Sequence, residues 1–347
     1  KMKFIDILLS KESFDVNIDD RNKNINYVLI KQICKECVYL ENEKALVKYG
    51  NLCLKEKKSK FGEIHNNYNQ AYECFELAAK KGNGEGMVQY GRFNEYGFGY
   101  TKKNPGKALK YYKLAYEKGD LNGYAFYGIS LIEGIGGITK NIPEGIRLIK
   151  YSCDQKNIYG MTFYAYYFFY GLQGLPENKK LSFHYSKIAA DLGCAKALRD
   201  LGVFYKEGIE VEKDINKSIK YFKMAIEEGD IHAAYLLGDL LCNGDEENKL
   251  EIDLIEGNKY LEYAADRGDE IAIYDCLLNV IFNDEIKMST IKLVKYLQMG
   301  VDFQNKDIIF IYGTLLCNGL ILHYDEKKAA KYIKMSADLG CEKAILK

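Results

Sequence analysis

Few residues of this sequence have types and spacings that could support metal binding or nucleophilic catalysis. Cys34 and Cys37 form a Cys-x-x-Cys pair, but no second pair completes a zinc site. Ser289 and Lys292 have the spacing of a serine-acylase motif whose other elements are missing, so Ser289 is better explained as a helix cap. The four histidines suggest neither a metal set nor a nucleophile–base pair. We therefore predict no catalytic residue, no cofactor and no metal site.

Two glycine-rich segments resemble loops that bind phosphate groups. Residues 97–99 read Gly-Phe-Gly, and residues 134–137 read Gly-Ile-Gly-Gly. Phosphate-binding loops follow strands and supply a lysine and a hydroxyl, whereas these segments follow predicted helices and lack that part of the motif. Both segments are therefore interpreted as the ends of helices.

Composition and charge limit the classes of partner. The 49 basic and 49 acidic residues give a net charge of zero, which provides no general attraction to nucleic acid or to an anionic membrane. With 48% hydrophobic residues, 28% charged residues and three prolines, the 347 residues are typical of a mostly helical protein. A run of about 20 apolar residues, as a membrane span requires, is missing. We predict no nucleic-acid partner and no direct membrane insertion.

A unit of 36 to 41 residues recurs eight times along the sequence. Each unit is counted from a glycine or polar residue that follows an apolar helical run, here called the repeat mark. The marks are Glu41, Gly82, Gly119, Lys156, Gly193, Gly229, Gly268, Gln304 and Gly340.

Two helices are predicted in each unit. In helix A, a pair such as Tyr90-Gly91 or Tyr127-Gly128 stands eight and nine residues after the mark, on the same face as a small or aliphatic residue at the fourth. Helix A ends near a glycine, and helix B begins at a residue whose side chain can accept from free backbone amides. These capping residues are Asn67, Asn104, Asn141, Asn178, Asp214, Asp253, Ser289 and Asp325.

Helix B carries a second apolar stripe. A large residue such as Tyr111 stands eight residues before the mark, and a small one such as Ala115 stands four before it. We expect the large residue to interdigitate with the Tyr-Gly step of helix A. Because one helix pair cannot bury both stripes, neighbouring units must stack. The predicted fold class is an all-α, right-handed α/α superhelical solenoid of about eight helix pairs.

The repeat grid also divides the chain into segments. Residues 1–40 are predicted to be an N-terminal segment, in which residues 21–40 form a capping helix like a degenerate helix B. Residues 41–347 are predicted to be the repeat array, with an enlarged connection at residues 55–66 in the first unit. Residues 341–347 begin a ninth helix A, so we expect the sequence to be a piece of a longer protein.

Two stretches show the repeat most clearly. Residues 90–128 read YGRFNEYGFGYTKKNPGKALKYYKLAYEKGDLNGYAFYG, and residues 201–238 read LGVFYKEGIEVEKDINKSIKYFKMAIEEGDIHAAYLLG. They resemble the Sel1-like repeat family, a relative of the tetratricopeptide repeats. The resemblance covers residues 41–347 and implies an α-solenoid adaptor that holds partner proteins. The seventh unit departs most, since Asn283 replaces the loop glycine and Cys276-Leu277 replaces Tyr-Gly.

The cysteines leave an alternative function open. Some secreted members of that family link helix A to helix B by a disulfide in each unit, and this sequence has ten cysteines. However, no unit repeats such a pair, and Cys53, Cys74, Cys153 and Cys276 fall at core-type positions. We predict free buried thiols and a cytoplasmic, reducing compartment. The alternatives are a β-lactam-binding or hydrolysing enzyme similar to the cysteine-rich members, and a purely architectural, self-associating array.

The most apolar stretch, MTFYAYYFFYG at residues 161–171, is predicted to be helix A of the fourth unit. Phe163, Tyr166 and Tyr170 lie on the face opposite the stripe that packs on helix B. The resemblance implies that this face lines a concave groove. A core location for these rings is the competing interpretation, but polar residues at the same positions of other units would then be buried unpaired.

The sequence therefore predicts a non-enzymatic protein-interaction scaffold that binds a peptide or partner helix in this groove. Phe126, Phe163 and Tyr166 are predicted to be anchors, and Gln89, Arg92, Arg199 and Asp200 are predicted to fix orientation. The complete predicted set is Gln89, Arg92, Phe126, Ile129, Phe163, Tyr166, Tyr170, Arg199, Asp200 and Val203.

Overall fold

The computed structural model describes residues 42–54, 68–98, 101–245, 247, 250–319 and 321–345. The predicted capping helix within residues 1–40, the connection at 55–66, the Cys34–Cys37 pair and the predicted cap Asn67 lie outside the described residues. Within these ranges the regular secondary structure is helical, apart from one isolated β-bridge between Asp245 and Leu250.

Seventeen α-helices follow one another along the described ranges. The chain forms two compact units, the first ending at Ala189 and the second beginning at Ala190. The helices are α1 (Glu43–Leu54), α2 (Tyr68–Lys80), α3 (Gly84–Tyr96), α4 (Pro105–Glu117), α5 (Leu121–Glu133), α6 (Ile142–Asp154), α7 (Ile158–Tyr170), α8 (Lys179–Asp191), α9 (Ala195–Glu207), α10 (Ile215–Glu227), α11 (Ile231–Asn243), α12 (Leu254–Ala265), α13 (Glu270–Phe282), α14 (Thr290–Asp302), α15 (Lys306–Asn318), α16 (Glu326–Asp338) and α17 (Glu342–Ile345).

Odd-numbered helices are the predicted helices A, and even-numbered ones are the predicted helices B. The predicted caps of helix B are confirmed: Asn104 accepts from the Lys107 amide at 2.9 Å, and Asp214 accepts from the Lys217 amide at 2.9 Å. The same bond is made by Asn141, Asn178, Asp253, Ser289 and Asp325. Left-handed glycines end helix A at Gly97, Gly134, Gly171, Gly208 and Gly319.

Most helices A pack on the following helix B through a central glycine, with one difference from the predicted contact; α7 and α13 have Ala165 and Leu277 at this position. The residue that covers the glycine stands seven, not eight, positions before the mark. At Gly202 an added Cβ would lie 2.5 Å from the Phe222 ring, and at Gly91 it would overlap the buried Tyr112 ring. The predicted Tyr111 instead packs edge-on against Tyr90, with ring centroids 4.8 Å apart. The all-α fold of paired helices is as predicted.

The side chains that cap helix A also bind the preceding repeat. Asn157 accepts from the Gly160 amide at the start of α7, and its Nδ2 donates to Asn122 Oδ1 at 2.7 Å. Asp230 accepts from the Ala233 amide and from Arg199 Nη1 at 3.1 Å. The same double role is seen at Asp269, which meets His232, and at Asn305, which meets Glu270. One residue therefore starts a helix and joins two repeats.

The cysteines of the described ranges are free thiols. The predicted core positions of Cys53, Cys74, Cys153 and Cys276 are confirmed, because all four are buried. Burial raises the pKa of Cys74 and of Cys153 to about 12, so both stay protonated at neutral pH and behave as small apolar residues.

Candidate protein-binding surface

A guanidinium and three aromatic rings join the helices A of three successive repeats in the first unit. This Arg92 cluster consists of Arg92 on α3, Phe126 on α5, and Tyr159 and Phe163 on α7. The Arg92 guanidinium carbon lies 5.8 Å from the Phe126 ring centroid and 5.6 Å from that of Tyr159. The Phe126 ring meets Tyr159 and Phe163 edge-on at 5.0 and 5.2 Å. The cluster fixes these helices against one another.

Hydrogen bonds link Arg92 of this cluster to neighbouring polar groups. Arg92 Nη1 donates to Gln89 Oε1 and to the Tyr159 hydroxyl, both at 3.1 Å. Gln89 is 7% exposed and Phe126 is 6% exposed, with the Tyr112 ring of α4 packed 5.1 Å from that of Phe126. Thus Gln89 is buried but paired, and its partner Arg92 is half-buried. The Phe126 ring is buried and packs against the rings that surround it.

The exposed rings of the predicted set lie one turn apart on α7. Tyr166 is 43% exposed and Tyr170 is 57% exposed, and their ring centroids are 5.1 Å apart. Tyr167, which lies between them in sequence, is buried and donates its hydroxyl hydrogen to Glu133 Oε1 on α5 at 2.8 Å. Burial, followed by the bond to Glu133, raises the pKa of Tyr167. Phe163, which packs on Phe126, is half-buried and continues this strip toward the start of α7.

Ile129 is the remaining predicted residue of the first unit. It lies on α5 between Phe126 and Glu133 in sequence and is half-buried. Helices α3, α5 and α7 contact one another in order, so the seven predicted residues of the first unit belong to one run of neighbouring helices.

The other three predicted residues belong to the second unit, on α9. Arg199 donates to Asp200 and to Asp230, each at 3.1 Å, and both carboxylates are largely buried. Burial lowers the pKa of Arg199, but the two carboxylates outweigh this effect, so its pKa is raised overall. Burial raises the pKa of Asp200 despite the opposing charge of Arg199. Val203 is half-buried on the same helix.

Sequence reasoning missed a group of carboxylates on the helices A of the second unit. Asp275 on α13 has no hydrogen bond or ion pair with any residue in the described ranges. Its burial, together with the charges of Asp239 and Asp269, raises its pKa to about 6. Asp269 itself meets His232 Nδ1 at 3.3 Å. Asp239, Asp269 and Asp275 stand at three different positions relative to their repeat marks, so no recurring sequence position indicated the group.

The repeats match the family model for the Sel1 repeat. The matched segments are residues 45–83, 84–120, 122–157, 158–194, 195–230, 231–269 and 309–341. The chain belongs to the Sel1 repeat family. This Sel1 repeat protein also has a helix pair, α13 and α14, between the last two matched segments, where the sequence departs most from the pattern.

Solved structures share the fold of this Sel1 repeat protein. A Sel1 repeat protein from Oxalobacter formigenes is 16% identical, with a TM-score of 0.57 over 99% of this chain and 98% of that one. A protective antigen of uropathogenic Escherichia coli, c5321, is 19% identical, with a TM-score of 0.53 over 90% of this chain. This chain covers 65% of that antigen. A monomeric IFIT1 mutant with Gppp-AAAA is 12% identical, with a TM-score of 0.51 over 98% of this chain and 86% of that one.

Comparison with curated protein sequences gave no match. Within the described helices, none is both long enough and apolar enough to cross a membrane. These comparisons identify the repeat family and its fold.

Proposed function

We propose that this Sel1 repeat protein is a non-enzymatic interaction scaffold that binds a peptide or a partner helix on the helix A surface of its first unit. The observation that carries the proposal is the pair of exposed rings, Tyr166 and Tyr170, on α7, the helix that also contributes two rings to the Arg92 cluster. Sel1 and related repeats typically act as protein-interaction scaffolds, which agrees with this assignment.

Each predicted residue has a role in this proposal. Tyr166 and Tyr170 are the anchors, because an aromatic ring with an outward hydroxyl offers apolar area and a hydrogen bond at low entropic cost. Phe163 and Ile129 extend the apolar contact. The role of Gln89, Arg92 and Phe126 is indirect, because their mutual contacts hold the helices in place before a partner arrives.

The residues of the second unit are proposed as polar contacts on their own unit. Arg199 uses one hydrogen bond to each of two carboxylates, and a guanidinium has five donors. The remaining donors and the neighbouring Val203 suit a partner backbone beside an aliphatic side chain.

The test is partner recovery by the Tyr166→Ala/Tyr170→Ala variant. Proteins captured by the wild-type chain would be identified, and direct binding of the purified partner would then be measured by calorimetry. Loss of two anchor rings should weaken this binding by about 2 to 4 kcal/mol. The variant should keep its helical circular dichroism, because both side chains are exposed.

Two controls sharpen this test. Tyr324→Ala removes an exposed ring from the second unit and should leave binding unchanged. Phe163→Ala/Tyr166→Ala tests two of the three anchors that the sequence predicts, although Phe163 also packs on Phe126. Unchanged affinity of a folded Tyr166→Ala/Tyr170→Ala variant would show that the partner uses another surface.

The enzymatic alternative requires helix-linking disulfides, as in the cysteine-rich family members. The cysteines of the described ranges are free thiols, and five of them are buried, so this alternative gains no support from these residues. The same buried thiols support our proposal of a reducing compartment. Labelling of the unfolded chain with a thiol reagent, without reductant, distinguishes the two.

A further inference from the structure

A second group of aromatic rings lies on α4, α5 and α6 and shares no residue with the candidate surface described above. This tyrosine face consists of Tyr116 on α4, Tyr124 and Tyr127 on α5, and Tyr151 on α6. Tyr116 stacks on Tyr127 with centroids 5.2 Å apart and meets Tyr124 edge-on at 4.8 Å. Tyr124 in turn lies 4.7 Å from Tyr151. Four rings from three helices therefore form one continuous group.

These rings reach solvent. Tyr151 is 44% exposed, and Tyr116, Tyr124 and Tyr127 are half-buried. None of the four hydroxyls has a hydrogen-bond partner in the part of the chain that the structure describes. The face thus combines apolar ring surface with four outward hydroxyls that are available to a ligand.

Comparison with the other repeats shows that three of these tyrosines, Tyr116, Tyr124 and Tyr151, are not required by the fold, whereas Tyr127 belongs to the recurring Tyr-Gly step. The position of Tyr124, five residues after the repeat mark, carries buried apolar residues elsewhere: Leu46, Met87, Met161, Leu198, Ala234, Ile273 and Ile309. The position of Tyr116, three before the mark, carries smaller buried residues in several repeats: Ala79, Cys153, Ala190 and Ala265. The position of Tyr151 carries Leu77 and Leu114 in the first two repeats. Among the described repeats, tyrosine stands at all three of these positions only where α4 of the second repeat meets α5 and α6 of the third.

The two basic side chains of α6, Arg147 and Lys150, are already paired with acids. Arg147 donates to both carboxylate oxygens of Glu144, at 2.7 and 2.6 Å. Lys150 lies 3.1 Å from Asp154, one turn away on α6. A nucleic acid that stacked its bases on these rings would need cations for its phosphates, and these two cations are engaged. The face is best matched by an uncharged ligand.

We propose that the tyrosine face binds a proline-rich peptide segment in the polyproline II conformation. Pyrrolidine rings pack well on aromatic side chains, and a polyproline II segment makes no internal hydrogen bonds, so its carbonyl oxygens need donors. The tyrosine hydroxyls are such donors. This interaction goes beyond the scaffold function proposed above and involves different residues.

The test uses poly-L-proline resin and a fluorescent decaproline peptide. The wild-type chain should be retained by the resin and eluted by free oligoproline. The triple variant Tyr116→Ala/Tyr124→Met/Tyr151→Leu carries residues that other repeats have at these positions, so its helices should still pack. Its affinity for decaproline, measured by fluorescence anisotropy, should fall at least about tenfold.

Matched variants separate this proposal from the scaffold proposal. Tyr166→Ala/Tyr170→Ala and Tyr324→Leu each remove exposed rings outside the tyrosine face and should bind decaproline as the wild type does. Should the triple variant lose helical circular dichroism, the single substitution Tyr151→Leu, at the most exposed ring, replaces it in the same assay.

Several results would overturn the proposal. Wild-type chain that passes through the resin, or a folded triple variant that binds decaproline as tightly as wild type, contradicts it directly. Binding of an oligouridine probe that is lost in the triple variant would assign the face to nucleic acid instead. Self-association that is lost in the triple variant, measured by light scattering, would assign it to a second copy of this chain.

Discussion

Asp275 illustrates the cost of an unpaired carboxylate on a packed helix. It is half-buried on α13, and its nearest charged influences are two further carboxylates, Asp239 and Asp269. Arg199 shows the opposite arrangement, with an acid on either side. Asp275 therefore lacks the paired cation that Asp200 and Asp230 share.

This difference predicts a pH-dependent stability. The pKa of Asp275 is about 6 in the folded chain and about 3.9 when unfolded, so the folded state binds more protons between these values. Its contribution to stability is therefore full below about pH 4 and is lost as the pH rises through about 6. At pH 7, Asp275→Asn should raise the free energy of unfolding by about 1–2 kcal/mol, with no gain near pH 4.

Urea titrations at several pH values would measure this effect. Asp284→Asn, which removes an exposed carboxylate, corrects for the loss of one negative charge. A constant difference between Asp275→Asn and wild type across pH 4 to 7 would contradict the assignment.

At the scale of helices, three of the contacts between helix A and helix B depend on a glycine covered by an aromatic ring. Tyr112 cannot swing away from Gly91, because its ring is fully buried and its hydroxyl donates to Glu95 Oε2 at 2.6 Å. The same arrangement recurs at Gly202 beneath Phe222. A methyl group at either glycine has to push two helices apart.

Gly91→Ala should therefore destabilise the chain by about 1–3 kcal/mol, despite the higher helix propensity of alanine. Gly106→Ala is the matched control, since Gly106 is also helical but an added Cβ there meets only Asn104 Oδ1 at 3.7 Å. That control should be neutral or slightly stabilising. Equal unfolding midpoints for the two variants would exclude close packing as the reason for glycine at position 91.

Much of this helix-level structure could be predicted from the sequence. Periodicity and caps locate helices such as α4 and α10, because both signals are local. The partner of Gly91 could not be chosen between Tyr111 and Tyr112, since adjacent residues differ by only 100° around a helix and neighbour tilt decides which one faces it. The caps of helix A, such as Asn157, were present in the sequence, but their second role depends on the neighbouring repeat.

At the scale of the whole array, stability comes from contacts between successive repeats. Asn157 makes two kinds of bond: it caps the start of α7, and it binds Asn122 of the previous helix A. Asn141 caps α6 through the Glu144 amide and is exposed. The two asparagines therefore separate the effect of capping from the effect of joining repeats.

Asn141→Ala should cost about 1 kcal/mol for the lost cap. Asn157→Ala should cost about 1 kcal/mol more, because the bond to Asn122 is lost as well. Thermal unfolding followed by helical circular dichroism would rank the two. Equal losses would mean that the Asn157–Asn122 bond contributes nothing to stacking.

The candidate surface was less accessible to sequence reasoning than the repeats. Phe126 was predicted to be an anchor from its position on α5, but Tyr112 and Phe163 cover its ring from two other helices. Likewise, the pairing of Gln89 with Arg92 could not be read from helix periodicity, which gives the face of a residue and not its depth. Tyr166 and Tyr170 were predicted to lie on the face of α7 opposite the stripe that packs on helix B, and both are exposed.

The bond from Arg92 to Tyr159 passes over an entire repeat. Most contacts in such arrays join adjacent units only, which lets each unit open almost independently. Here the second repeat is bonded to the fourth, and the Phe126 ring of the third lies between them. We therefore expect these three repeats to unfold together, because opening either the second or the fourth breaks the Arg92–Tyr159 bond and uncovers the Phe126 ring.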